Sequence, residues 1–215
     1  MENLSYFVDL FMHLDTHLSA ITSEYGLLTY LLLFAIIFCE TGLVITPFLP
    51  GDSLVFATGA LVASGSFNLF TILVVLCLAA IVGDTVNYQI GHLLKDRVTS
   101  RENIRFIKQE HLDCTHMFFE KYGVKTIIIA RFVPIIRTFA PFVAGIGTMP
   151  YSTFISYNII GGIAWVMSFF FGGYFFGNLP VVKDNFSLMI IGIIFVSLIP
   201  GIIAYIQSKR DPKST

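Results

Sequence analysis

The run Phe38-Cys39-Glu40-Thr41-Gly42-Leu43-Val44-Ile45-Thr46-Pro47-Phe48-Leu49-Pro50-Gly51-Asp52 decides how this chain can fold. Twelve uncharged residues, Leu27 to Phe38, lead into it, and a second apolar stretch, Leu54 to Ala63, leads out. Neither arm reaches the roughly 20 apolar residues that a clean bilayer span needs. Pro47, Pro50 and Gly51 fall within five positions. They stop a helix, because proline lacks a backbone N–H and its ring clashes with the preceding turn. Residues 27–64 therefore read as a hairpin that turns inside the membrane and carries Glu40 and Asp52 with it.

Val124 to Met149 poses the same problem. Largely apolar residues are interrupted by Arg131, Pro134, Arg137 and Pro141, and the stretch closes with Gly145 and Gly147. This is the second expected hairpin, over 124–149.

Composition sets the solvent. Of 215 residues 55% are hydrophobic and 13% charged, with a mean hydropathy of +0.79. A soluble domain carries about 25% charged residues. Half that charge cannot cover a water-facing surface, so lipid is the main solvent. A net charge of −1 gives no reason to expect nucleic acid as a partner. Cys39, Cys77 and Cys114 are odd in number, and the first two sit in apolar runs. They read as small packing residues, not as a disulfide framework or zinc module. The first 24 residues contain Glu2, Asp9, Asp15 and Glu24 but no Lys or Arg, which argues against a cleaved signal peptide.

Outward from the hairpins, Leu4, Phe7, Val8, Phe11, Leu14, Leu18 and Ile21 predict an amphipathic helix lying on the membrane over 4–21. Phe67 to Val82 reads as a spanning helix. It ends in Gly83, Asp84, Asn87, Tyr88 and Gly91, which share one helical face, with Asp84 near the cytoplasmic end. Residues 92–121 are the most polar, yet Ile104, Ile107, Cys114, Phe118 and Tyr122 keep a stripe, so a second surface helix is expected there. Tyr151–Gly177 and 186–206 are long enough to span. Seven basic residues in 92–125 (Lys95, Arg97, Arg101, Arg105, Lys108, Lys121 and Lys125) and Lys209, Arg210 and Lys213 in the tail place both segments in the cytoplasm. A re-entrant second hairpin followed by two spans returns the tail to that side, whereas a full span over 126–149 would not.

The chain repeats itself. Residues 1–91 and 92–177 share an order of amphipathic helix, broken hairpin and spanning helix, with 186–206 as a final span. Tyr25-Gly26 matches Tyr122-Gly123, and the same offset of 97 pairs Glu40-Thr41 with Arg137-Thr138. Closing a gap of three aligns Thr46-Pro47-Phe48-Leu49-Pro50-Gly51 with Ala140-Pro141-Phe142-Val143-Ala144-Gly145. Together with the basic count, this makes the hairpins enter from opposite faces, an inverted repeat whose interface commonly holds a transporter's site. The expected fold is a single all-α polytopic membrane domain over 1–215. It combines two opposed re-entrant hairpins with spanning helices and amphipathic surface helices.

Four ionisable residues fall in the hairpins: Glu40, Asp52, Arg131 and Arg137. Each costs at least about 2.5–3.5 kcal/mol at the bilayer centre, so they should face one another, a water-filled cavity or a ligand. Their formal charges sum to zero, so two ion pairs that merely hold the hairpins together are one reading. The functional reading has Arg131 and Arg137 bind an anion, because a guanidinium stays charged when buried and offers a planar fork to phosphate oxygens. A carboxyl at Glu40 or Asp52 that pairs with Arg when the site is empty, and protonates when it is full, would couple proton movement to transport.

Glu40, the Pro47-Phe48-Leu49-Pro50-Gly51-Asp52 turn, Gly83-Asp84 with Tyr88, and Arg131-Phe132-Val133-Pro134 followed by Arg137 together resemble the DedA family. These are bacterial inner-membrane proteins that share a domain with eukaryotic lipid scramblases. The resemblance covers nearly the whole chain. It implies transport of undecaprenyl phosphate or other phospholipids with proton coupling. It also implies functional roles for Glu40, Asp52, Arg131 and Arg137, and a multi-pass protein of the bacterial inner membrane.

Other features carry less. Asp84, Asn87 and Tyr88 read as an interfacial hydrogen-bonded cluster, with a second proton site as the sharper alternative. His111, Asp113, Cys114 and His116 crowd together, but His116 turns away and nothing completes four ligands, so neither metal nor cofactor is expected. Trp165 and Phe169-Phe170-Phe171 look like packing or lipid contact, and Gly161-Gly162 and Gly172-Gly173 permit close helix approach. The competing functions are an ion- or proton-coupled small-solute transporter and an intramembrane lipid phosphatase. All five histidines lie outside the hairpins, and no His-Glu-x-x-His is present, so no enzyme is expected. The expected partners are the bilayer and an anionic lipid; the sequence leaves self-association open.

Overall fold

A computed structural model of the chain describes residues 26–43, 51–99, 109–147, 149–177 and 179. The elements among them are helical: α1 (Leu27–Gly42), α2 (Gly51–Ala63), α3 (Leu69–Thr99), α4 (Gln109–Tyr122), a 3-10 turn (Gly123–Lys125), α5 (Thr126–Ala130), α6 (Pro134–Ile146) and α7 (Tyr151–Phe176). The surface helix expected over 4–21, Pro47 and Pro50 of the first turn, and the span 186–206 lie outside the described residues.

α1 and α2 have 16 and 13 residues, short for a span, as the interrupted run requires. α3 over Leu69–Lys95 and α7 are long and apolar enough to cross a membrane. Burial is inverted relative to a water-soluble protein. Leu27, Phe70, Leu78, Ile160 and Phe175 are exposed, whereas Glu40, Asp84, Asn87, Arg131, Arg137 and Asn158 are buried. An apolar outside with the charges hidden inside suits a lipid solvent.

The structure corrects three expectations. α3 does not stop near residue 82; it continues through Gly83 and Gly91 to Thr99, so Asp84 lies in its middle. The polar residues that looked like an end find partners outside the helix instead. The surface helix expected over 92–121 is accordingly divided: 92–99 complete α3, and a separate α4 begins at Gln109. Pro141, expected at the second turn, lies inside α6, while Pro134 occupies that helix's first turn. An interior proline gives up one helix hydrogen bond. Membrane helices tolerate that where neighbours satisfy the freed groups.

The chain divides into two compact units that do not follow the sequence halves. The first takes α1 up to Ile36, α2, α3 up to Leu78, and α7 from Val166. Here α2 lies against α7 through glycine: a Cβ at Gly59 would overlap the Phe170 carbonyl oxygen, and one at Gly173 the Phe56 carbonyl oxygen. Asp52 belongs to this unit, half-buried in the first turn of α2, where unpaired helix N–H groups favour a carboxylate. The second unit takes α1 from Ile37, α3 from Ala79, α4 to α6, and α7 up to Trp165. α6 packs on α4 and α5. Its apolar core includes Ile127, Ala130, Ile136, Ala140 and Phe154.

Candidate functional site

The site lies within the second unit and is built on one face of α3. Gly83, Asp84, Asn87, Tyr88 and Gly91 are all buried, as their shared face predicts, while the intervening residues are not. Two glycines on that face bring other helices close. A Cβ at Gly83 would overlap the Thr41 hydroxyl near the end of α1, and one at Gly91 the Phe142 carbonyl of α6. Gly145 of α6 returns the contact, lying against the Tyr88 carbonyl. Tyr88 itself stacks on Phe154 at 4.4 Å and donates its hydroxyl to the Met149 carbonyl at 2.7 Å, a packing role.

Arg131 sits at the break between α5 and α6. Pro134 disfavours helical backbone in the residue before it, and Val133 is extended (φ −123°, ψ 104°). The Arg131 side chain is buried, and its Nη2 lies 2.6 Å from Asp84 Oδ2. The same nitrogen donates to Asn158 Oδ1 at 2.5 Å and to the Ala80 carbonyl at 3.4 Å. Asn158 is fixed in turn, its Nδ2 donating to the Ile81 carbonyl at 3.0 Å. Gly161 and Gly162 leave the slot for this guanidinium: added Cβ atoms would lie 3.3 Å from Arg131 Cδ and 3.4 Å from Nη2.

Arg137 lies in α6, where its Nη2 donates to Glu40 Oε1 in a buried ion pair. Its guanidinium carbon sits 5.3 Å from the centre of the Trp165 ring, within cation–π range. Glu40 occupies the last turn of α1, where exposed carbonyls disfavour a carboxylate. Arg137 offsets that penalty. Asn87 stands beside the pair: its Nδ2 donates to the Thr41 carbonyl at 3.1 Å and to the Thr138 carbonyl at 2.9 Å. Asp84 Oδ1 and Asn87 Oδ1 are buried acceptors with no hydrogen-bond partner among the described residues. Each such acceptor costs about 1–3 kcal/mol unless a donor such as water supplies a bond.

The structure thus brings Glu40 to Arg137 and Asp84 to Arg131. Asp84 supplies the carboxylate that balances Arg131, and Asp52 falls in the other unit. Two residues were not singled out for this site by sequence. Trp165 read as packing, yet it faces a guanidinium. Asn158 carried a signal that could have found it, since it is the lone carboxamide in the 26 residues of α7, and polar groups within a span are functional by default. A cavity of about 450 Å³ in this unit is lined by residues such as His116, Phe119, Val143 and Met149, and by none of the paired charges.

The geometry describes a helical membrane protein with two buried ion pairs, and comparison with known proteins places it. Residues 49–175 match the VTT domain. The chain is 51% identical over 212 residues to Protein DedA of Escherichia coli strain K12, covering 98% of this chain and 97% of that one. It is 42% identical over 180 residues to the uncharacterized membrane protein ML0287 of Mycobacterium leprae, covering 84% and 81%. Inner membrane protein YqjA of Escherichia coli strain K12 is 32% identical over 181 residues, covering 84% and 82%. No solved structure matches. The chain belongs to the DedA family of membrane proteins, whose hallmark is the VTT domain.

Proposed function

We propose that this protein moves an anionic lipid, undecaprenyl phosphate or a phospholipid, across the inner membrane, and that proton movement is coupled to that transfer. The observation that carries the reading is the buried Arg137–Glu40 pair beside the Trp165 ring. A lipid phosphate competes with Glu40 for the Arg137 fork, which suits phosphate geometry. A displaced Glu40 carboxylate would lose its Arg137 partner in a buried site, at a cost of several kcal/mol. Taking up one proton removes that charge. One added anionic charge is then balanced by one proton, and the site is neutral both before and after.

Arg131 serves this scheme indirectly. Held by Asp84 and Asn158, it fixes the break from which α6 carries Arg137. Asp52, at the start of α2, is the second carboxyl of the proposed proton route. The inverted-repeat reading of two opposed re-entrant hairpins gains support from the pairing itself. Glu40 and Arg137 are separated by 97 positions, the offset that relates the two halves, and Asn87 bonds the carbonyls of Thr41 and Thr138, separated by the same offset. Positions related by a two-fold axis meet one another when they lie beside that axis.

The test is reconstitution of purified protein in liposomes with labelled undecaprenyl phosphate, following both sidedness and chemical identity. Transfer of intact lipid, accelerated by a proton gradient, is expected. Release of inorganic phosphate would favour a phosphatase, and transfer indifferent to the gradient would remove the coupling. Absence of transfer, for this lipid and for anionic phospholipids alike, would remove the lipid substrate.

A further inference from the structure

The Asn87 side chain touches the backbone on both sides of the Glu40–Arg137 pair. Its two bonds reach Thr41 and Thr138, the residues that directly follow Glu40 and Arg137. Thr41 lies in the last turn of α1, where helix carbonyls have no intrahelical donor. The Thr138 carbonyl lies within α6, and a carbonyl oxygen has two lone pairs, so it can accept from Asn87 besides its own helix. A primary amide nitrogen carries two hydrogens, one for each carbonyl.

The placement on α3 is also specific. Asn87 is one turn beyond Gly83, where α1 makes its closest approach, and one turn before Gly91, where α6 does. It is fully buried midway between the two crossings. Helix contacts through glycine set how near the backbones come but leave them free to slide. Two directed hydrogen bonds remove that freedom and fix the register of α1 against α6.

We infer that Asn87 is the positioning residue of the Glu40–Arg137 pair, its amide holding the two charge-bearing helices in register so that carboxylate and guanidinium meet. The inference rests on the proposed function only in what the pair is for. Asn87 touches neither charged group; it acts through the backbones that carry them. A helix motion that slides α1 along α6 must also release one of its two bonds.

Trp165, the single tryptophan of the chain, reports on this arrangement because its ring faces the Arg137 guanidinium. Its emission can be read in purified protein without any lipid, so the outcome is independent of whether transport is found. Asn87→Ala is expected to shift the Trp165 emission maximum, and the shift is expected to vanish when the same change is made in an Arg137→Gln background. Asn87→Ser, with one hydroxyl hydrogen and therefore one carbonyl at most, should give a smaller shift of the same sign. It carries the same comparison if the alanine variant does not fold. The inference is overturned if emission stays at the wild-type position, or if it moves equally with and without Arg137, which would mean general packing.

Discussion

Around Arg131 one guanidinium nitrogen meets acceptors from two helices: Asp84 and Ala80 of α3 and Asn158 of α7. Around Arg137 the guanidinium meets the Glu40 carboxylate and an aromatic face. The two arginines lie six positions apart, and both are buried. Their surroundings nevertheless differ in what a phosphate would have to displace. At Arg131 it would have to disrupt a network that also ties down Asn158 and the Ile81 carbonyl. At Arg137 it would take the place of the Glu40 carboxylate beside the Trp165 ring. On the proposed reading the first region is a joint of the fold and the second is the contact that a phosphate exchanges.

The strongest test of that contrast is to remove each guanidinium. Arg131→Gln leaves the buried Asp84 carboxylate without its cation and should cost about 3–5 kcal/mol, seen as a large fall in melting temperature in detergent. Arg137→Gln should abolish lipid transfer with a smaller loss of stability, because removing Arg131 also strands the Asn158 and Ala80 acceptors. Equal losses would erase the distinction. A step smaller, Gly83→Ala sets a methyl group onto the Thr41 hydroxyl and within 3.1 Å of the Phe38 carbonyl. Overpacking of this kind costs about 1–3 kcal/mol, and lipid transfer should fall with it because α1 carries Glu40.

Arg137→Lys sharpens the comparison differently. The charge is kept but the fork is lost, so melting should move less than in either glutamine variant. Transfer should nevertheless drop about tenfold or more, the equivalent of one charged hydrogen bond. Unchanged transfer would discard bidentate phosphate binding. The smallest effect belongs to the first unit. A Cβ at Gly172 meets only the Phe56 ring, at 3.5 Å, an ordinary contact. Gly172→Ala should therefore be neutral or stabilising by up to about 1 kcal/mol, through helix propensity alone. A large loss there would show that the contrast between the two units is overstated.

Several of these features were legible before any coordinates. The shared face of Gly83, Asp84, Asn87, Tyr88 and Gly91 follows from 3.6 residues per turn, and those five are the buried ones. Gly161-Gly162 and Gly173 do mark close approaches. The end of α3 was misread because glycine and polar residues are helix-stopping signals in water. Within the fold the same residues find partners outside the helix, Arg131 for Asp84 and two carbonyls for Asn87. Pro141 reads locally as a helix breaker, yet it costs α6 one hydrogen bond without ending the helix.

The sequence by itself determined that the chain lives in lipid, that its apolar arms are broken at prolines, and that a few charges must be hidden within them. Length, composition and helical period suffice for that, because each concerns a single segment and its solvent. Only the tertiary structure decided that Arg131 belongs to Asp84 and Arg137 to Glu40, with Asn158 and Trp165 completing the two surroundings. Those choices depend on where helices cross, and a crossing is set by which glycines admit a neighbouring backbone. Spacing along one chain fixes a face, but the partner of that face is fixed in three dimensions.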